Sequence, residues 1–166
     1  VLASRSGRVA REGQGLSTVL LGLLEGAGSA IACDSASAAD MGGLFRRCCQ
    51  LVGVLHAAGV GDKGLVRDVA AGRMKWMLAP KALGAQHVHC AVACTPLAVH
   101  CLFSSVGSGL GNVGQANYAS GNASLDASAL SQRTHGLASC CVQWPLVGGA
   151  GMGAAAFPVQ GQRRHI

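Results

Sequence analysis

Tyr118 is the only tyrosine in the chain, and lysine occurs at three positions only, Lys63, Lys75 and Lys81. A phenol alone is a poor acid at neutral pH, but a nearby ammonium stabilises the phenolate and turns it into a usable proton donor. That pairing suits a reaction in which hydride reaches a carbonyl carbon and the developing alkoxide must take a proton. Ser105 stands thirteen residues before Tyr118, and a hydroxyl there can hydrogen-bond the same carbonyl oxygen and fix its position. A second chemistry is conceivable for His87, His89, Cys90 and Cys94 as metal ligands. However, the eight cysteines form two adjacent pairs and one C-x-x-x-C, with no C-x-x-C, which is not a zinc spacing. Their expected role is that of small hydrophobes in a reducing compartment, the cytoplasm or another such as a plastid.

The elements that must position these groups alternate along the chain. Apolar runs at Val1–Ser4, Ser29–Cys33, Leu51–His56, Leu97–Phe103 and Ala138–Trp144 read as strands. Between them, helical periodicity runs over Glu12–Gly26, Ser37–Gln50, Val69–Ala93 and Ala116–Thr134. Pro80 should kink the third of these helices. The order β-α-β-α-β-α-β-α-β predicts an α/β fold, a parallel doubly wound sheet with helices on both faces. In such sheets ligands sit at the carboxyl ends of the strands. Those ends read Ser4-Arg5-Ser6-Gly7-Arg8, Asp34, His56-Ala57-Ala58-Gly59, Ser104-Ser105 and Trp144-Pro145. Ser105 falls at one of them, and Tyr118 opens the helix that follows.

Composition narrows the function further. Half of the 166 residues are hydrophobic and 12% are charged, which argues against disorder. No window of about 20 consecutive apolar residues exists to span a bilayer, so no membrane association is expected. The net charge of +6 gathers at Arg5, Arg8 and Arg11 and again at Arg163, Arg164 and His165. With one Tyr, two Trp and three Phe, there are too few aromatics beside these charges for a nucleic-acid surface. A small phosphorylated ligand fits the first cluster better. The chain opens on Val1 with no signal-peptide pattern, and is expected to be part of a longer polypeptide.

Several segments together resemble one family. Phe103-Ser104-Ser105, the glycine-rich loop after it, and Gln115-Ala116-Asn117-Tyr118-Ala119-Ser120-Gly121-Asn122-Ala123-Ser124-Leu125-Asp126 are similar to the ketoreductase domain of modular and iterative polyketide synthases. The ketoreductase of animal-type fatty acid synthase is closely similar, and both belong to the short-chain dehydrogenase/reductase superfamily. Val54-Leu55-His56-Ala57-Ala58-Gly59-Val60 resembles the strand-end motif beside the nicotinamide. Leu78-Ala79-Pro80-Lys81-Ala82-Leu83-Gly84-Ala85 resembles the helix that supplies the active-site lysine, and Ala32-Cys33-Asp34 the acidic strand end near the adenine. Most of the superfamily places lysine four residues after the tyrosine; here that residue is Asn122, the swap for which these ketoreductases are known.

The resemblance implies a Rossmann-like domain over residues 1–153 with a tail over 154–166. It also implies NADPH as cofactor and, as substrate, a 3-ketoacyl chain on the phosphopantetheine of an acyl carrier protein, beside other domains of the same synthase. By the same resemblance Tyr118 is the general acid, Ser105 orients the ketone, Lys81 tunes Tyr118 and binds the ribose, and Asn122 holds the network that returns the proton. Arg5 meets the 2′-phosphate with help from Ser4 and Arg8, and Asp34 meets the adenine edge. His56, Ala57, Ala58, Gly59 and Pro145 line the dinucleotide. The departure from the family is at the start: no strand and glycine-rich turn precede Arg5, so the fold is expected to lack its first strand and to expose a central edge. A non-catalytic, structural reductase fold is the alternative. Residues Gly61-Asp62-Lys63, Leu110 and Asn117, at the positions that mark product stereochemistry in the family, give no consistent assignment.

Overall fold

The computed structural model describes residues 1–8, 22, 25 and 28–147. The helix expected over Glu12–Gly26 falls almost wholly outside them, although Gly22 and Glu25 are helical. Arg11, the glycine-rich tail and residues 154–166, with Arg163, Arg164 and His165, also lie outside the described residues.

Among the described residues five short strands form parallel pairs: β1 (Leu2–Ser4), β2 (Ala30–Ala32), β3 (Gly53–His56), β4 (Val99–Ser105) and β5 (Ser139–Trp144). The helices between them are α1 (Ala38–Arg46), α2 (Ala71–Leu78), α3 (Gly84–Val92), the single turn α4 (Gly107–Leu110) and α5 (Ala116–Thr134). Helix α1 starts where Ser37 accepts the Asp40 N–H, a side-chain cap for an orphan donor. It stops at Arg46, four residues short of the expected end.

Among the described residues the strands fall into two parallel sheets: β1 pairs with β2, and β3-β4-β5 form a separate three-stranded sheet. In a doubly wound order of 3-2-1-4-5-6 the first strand separates the second from the fourth. The split therefore falls where the strand implied by the resemblance would lie, between β1 and β3. The architecture is otherwise the parallel, Rossmann-like α/β arrangement that the alternation predicts.

Register fixes the site. Gly53 to His56 pair with Val99 to Leu102, and His100 to Ser105 pair with Ser139 to Trp144. Strand β4 is thus central and runs two residues past its expected end, which places Ser104 and Ser105 at its carboxyl tip. Two small cores flank the strands. Ala85, Leu102, Leu125 and Ala129 pack with Cys141, while Cys33, Met41 and Val88 pack with Leu44, Phe45 and Val54. Helix α3 contributes to both cores. Of the eight cysteines, all free, only Cys33 and Cys101 are buried, and Cys49, Cys90 and Cys94 are exposed. The small-hydrophobe reading therefore holds for a minority of them. Among the described residues no helix is long and apolar enough to cross a membrane.

Candidate active site

The helix expected over Val69–Ala93 is one path with an interruption. Pro80 has no N–H to give, and its ring crowds the preceding turn. The backbone answers with a π-helical turn over Ala79–Leu83 between α2 and α3, the form such insertions commonly take. Lys81 sits inside this turn and is 3% exposed. Its stem passes Gly121 of α5, where a Cβ would stand 3.4 Å from Lys81 Cδ, and Gly59 after β3, where a Cβ would stand 3.0 Å from Lys81 Cε. Its Nζ donates to the carbonyl of Phe103 at 3.2 Å, two residues before Ser105. The same ammonium lies 5.8 Å from the centroid of the Tyr118 ring. Lys81 and Tyr118, thirty-seven residues apart in the chain, are thus brought together at the tip of β4.

Burial pushes the Lys81 ammonium down to about 8, against the partial support of Cys141 and Asp126. A charge so enclosed is costly, and groups perturbed in this way cluster at functional sites. Asn122, one turn after Tyr118, is fully buried. Its Nδ2 donates to the Tyr118 carbonyl at 2.9 Å, while its Oδ1 has no donor among the described residues. Ser105 accepts the Gly107 N–H at 3.2 Å and so opens the turn of α4. Its neighbour Ser104 faces inward and donates to the Asn122 carbonyl at 3.2 Å, tying β4 to α5.

The residues proposed for the dinucleotide are more dispersed. Ser4 donates to the Arg8 carbonyl at 2.7 Å across a turn in which Gly7 takes a φ of +68°. This leaves Arg5 and Arg8 exposed at the end of β1. Asp34 accepts the Ala36 N–H at 2.9 Å and so shapes the turn after β2. Ala57 is exposed and Ala58 and Gly59 are half-buried beyond β3. Pro145 is exposed after β5. His56 stands at the strand end as expected, but its imidazole is buried and bonded to the Pro80 carbonyl at 2.9 Å. Only its backbone remains for a ligand.

Two supports were not apparent from the sequence. Asp62 receives both Arg73 Nε, at 2.7 Å, and Arg73 Nη2, and also Asn117 Nδ2 at 2.6 Å. Arg73 holds this carboxyl below its ordinary range, and Asn117 adds to the effect. Asn117 in turn accepts the Tyr118 N–H at 2.9 Å. The loop after β3, helix α2 and the first residues of α5 are clamped together directly beside the tyrosine. Below it, Asp126 accepts from Ser108 at 2.6 Å, Gln143 at 2.8 Å and Cys141 at 3.0 Å. Burial opposes ionisation of Asp126, but these donors outweigh it and hold the carboxyl low. Single polar residues scattered over 80 positions carry no spacing by which these partnerships could have been read.

Comparison with known proteins points one way. The profile of the KR domain family matches residues 1–149. The chain is 41% identical over 157 residues to polyketide synthase GfsA of Streptomyces halstedii, covering 91% of this chain and 2% of that protein. It is 42% identical over 106 residues to 6-methylsalicylic acid synthase of Aspergillus niger, covering 64% of this chain and 6% of that protein. Among solved structures it resembles an A-type ketoreductase from a modular polyketide synthase, with a TM-score of 0.82 and 34% identity, over 95% of this chain and 33% of that one.

Proposed function

Because the chain belongs to the KR domain family of polyketide synthases, within the short-chain dehydrogenase/reductase superfamily, we propose that it reduces a 3-ketoacyl thioester to the 3-hydroxyacyl form. In this reading the acyl chain arrives on the phosphopantetheine of an acyl carrier protein, NADPH is the reductant, and the neighbours are other domains of one synthase. The observation that carries the reading is the buried Lys81 ammonium beside the ring of the only tyrosine, at the tip of the central strand.

The residues fit such a cofactor. At Gly59, where a Cβ would stand 3.3 Å from Lys81 Nζ, the missing side chain leaves a side from which a ribose hydroxyl would approach the enclosed ammonium. The exposed guanidinium of Arg5 offers a planar fork to a phosphate dianion. When bound, NADPH would supply hydride to the keto carbon. Tyr118 delivers the proton to the keto oxygen, so that the C=O double bond becomes an alcohol. Lys81 stabilises the phenolate left behind. Ser105 holds the oxygen in place, and the undonated Oδ1 of Asn122 accepts from the water or hydroxyl that refills Tyr118.

Tyr118→Phe in the full-length protein should lower NADPH-dependent reduction of a 3-ketoacyl thioester by about 10²-fold or more, the usual scale for a positioned acid. Near-normal turnover in that variant would remove Tyr118 from the mechanism.

A further inference from the structure

We propose that His56 is a positioning residue for Lys81: its imidazole N–H replaces the helical donor that the Pro80 carbonyl loses in the π-turn, and so fixes where the lysine emerges. The inference rests on the reading of Lys81 as the partner of Tyr118, and deepens it.

In an α-helix the Pro80 carbonyl would accept from the Gly84 N–H, four residues on. Here the Gly84 N–H goes to the carbonyls of Ala79 and Lys81 instead. A carbonyl stripped of that donor inside the protein is costly unless another donor comes. His56 Nε2 supplies it at 2.9 Å, with Ser35 Oγ at 3.5 Å. Since the acceptor is a carbonyl, Nε2 carries the proton. The imidazole is 5% exposed, and burial pushes it down to about 4, with the Pro80 bond opposing and the charges of Lys81 and His100 adding. It stays neutral at physiological pH and holds one tautomer.

The surroundings are closely packed around this bond. A Cβ at Gly84 would stand 2.9 Å from Ser35 Oγ and 3.0 Å from His56 Cε1, so the π-turn, the histidine and the serine close on each other. The Ser35 carbonyl is bonded by His87 Nδ1 at 3.0 Å, which anchors α3 to the same point. Pro80 therefore joins the ends of β2 and β3, one from each sheet, and Lys81 is the next residue. The groups that bear on its ammonium come from every side: the Phe103 carbonyl of β4, Tyr118 and Asp126 of α5, and Cys141 of β5. None of them fixes the backbone from which the side chain departs; His56 does.

The test compares His56→Leu and His56→Gln in the full-length protein, since Gln keeps a donor and Leu does not. Reduction of a 3-ketoacyl thioester should lose about 10²-fold in kcat in His56→Leu, the scale of an ångström-sized misplacement, with KM nearly unchanged. His56→Gln should recover most of the loss. In the unaltered protein, ¹⁵N NMR of the His56 ring should show the Nε2–H tautomer, a readout that survives if the leucine variant fails to fold. A folded leucine variant with ordinary kcat, or an Nδ1–H ring in protein that reduces its substrate, would overturn this inference alone. No NADPH-dependent reduction by the unaltered protein would instead overturn the functional reading, and this inference with it.

Discussion

In the proposed reaction Lys81 is the residue in which stability and chemistry conflict most openly. Its folded value of about 8 lies well below the ordinary 10.5, so the native state disfavours its charged form relative to the unfolded chain. The sign follows from linkage: this group's contribution to stability is full above 10.5 and is lost as pH falls through about 8. At pH 7 the enclosed charge costs up to ~3 kcal/mol at 1.36 kcal/mol per pH unit. Lys81→Met, which keeps the stem and discards the charge, should therefore raise the thermal midpoint at pH 7 while abolishing most turnover. A lowered midpoint would mean that the bond to the Phe103 carbonyl outweighs the enclosed charge. The same value sets a kinetic limit. Turnover in the reductive direction should fall as pH rises through about 8, where the ammonium is neutralised, and a pH–rate profile of kcat/KM would record it. A flat profile to pH 10 would show that the charge on Lys81 does not enter the rate.

At the scale of elements, the π-turn and the strand ends decide how accurately these side chains meet. Gly53 and Gly59 bracket β3 and predict opposite phenotypes. A Cβ at Gly53 would stand 2.5 Å from Val99 Cγ1 and 3.0 Å from the Val99 carbonyl of β4. Relief requires the strands to part, and Gly53→Ala should cost about 1–3 kcal/mol of stability. A Cβ at Gly59 meets only the far end of the Lys81 side chain, at 3.0 Å from Cε and 3.3 Å from Nζ. That end can swing, so Gly59→Ala should fold within about 0.5 kcal/mol of the unaltered protein yet lose turnover and cofactor affinity. Thermal unfolding and steady-state kinetics on the two variants separate the cases; equal stability losses would mean that Lys81 cannot yield. Neither glycine has a positive φ in this structure, so space and not backbone strain separates the two substitutions.

For the molecule as a whole, what the sequence reveals and what it hides divide along a physical line. Buried parallel strands advertise themselves as apolar runs, and Leu97–Phe103 marks the central strand to within two residues of β4 at each end. The Tyr118 helix is equally legible, with α5 running from Ala116 to Thr134 as its periodicity predicts. The π-turn is not legible beyond Pro80 itself, because a proline announces a disturbance without saying which way the backbone will resolve it. Nor is the pairing of edges, since an apolar run specifies a strand but not its neighbour. That second gap has a consequence. Among the described residues the outer edges of β1 and β3 carry no partner strand, and Leu2, Val52 and Leu55 nearby are 40%, 70% and 67% exposed. Unpaired backbone groups beside exposed aliphatic side chains are a template for another strand. The net charge of +6 repels copies at low ionic strength, but at 0.1 M salt its reach shrinks to about 10 Å. The 166-residue polypeptide on its own should therefore self-associate, increasingly as salt is raised, and Leu55→Lys, which puts a charge on the β3 edge, should suppress it. Light scattering on a sizing column at concentrations of about 100 μM, where exposed edges ordinarily drive association, measures this directly. A monomer that ignores both salt and the substitution would show that the two edges are already covered.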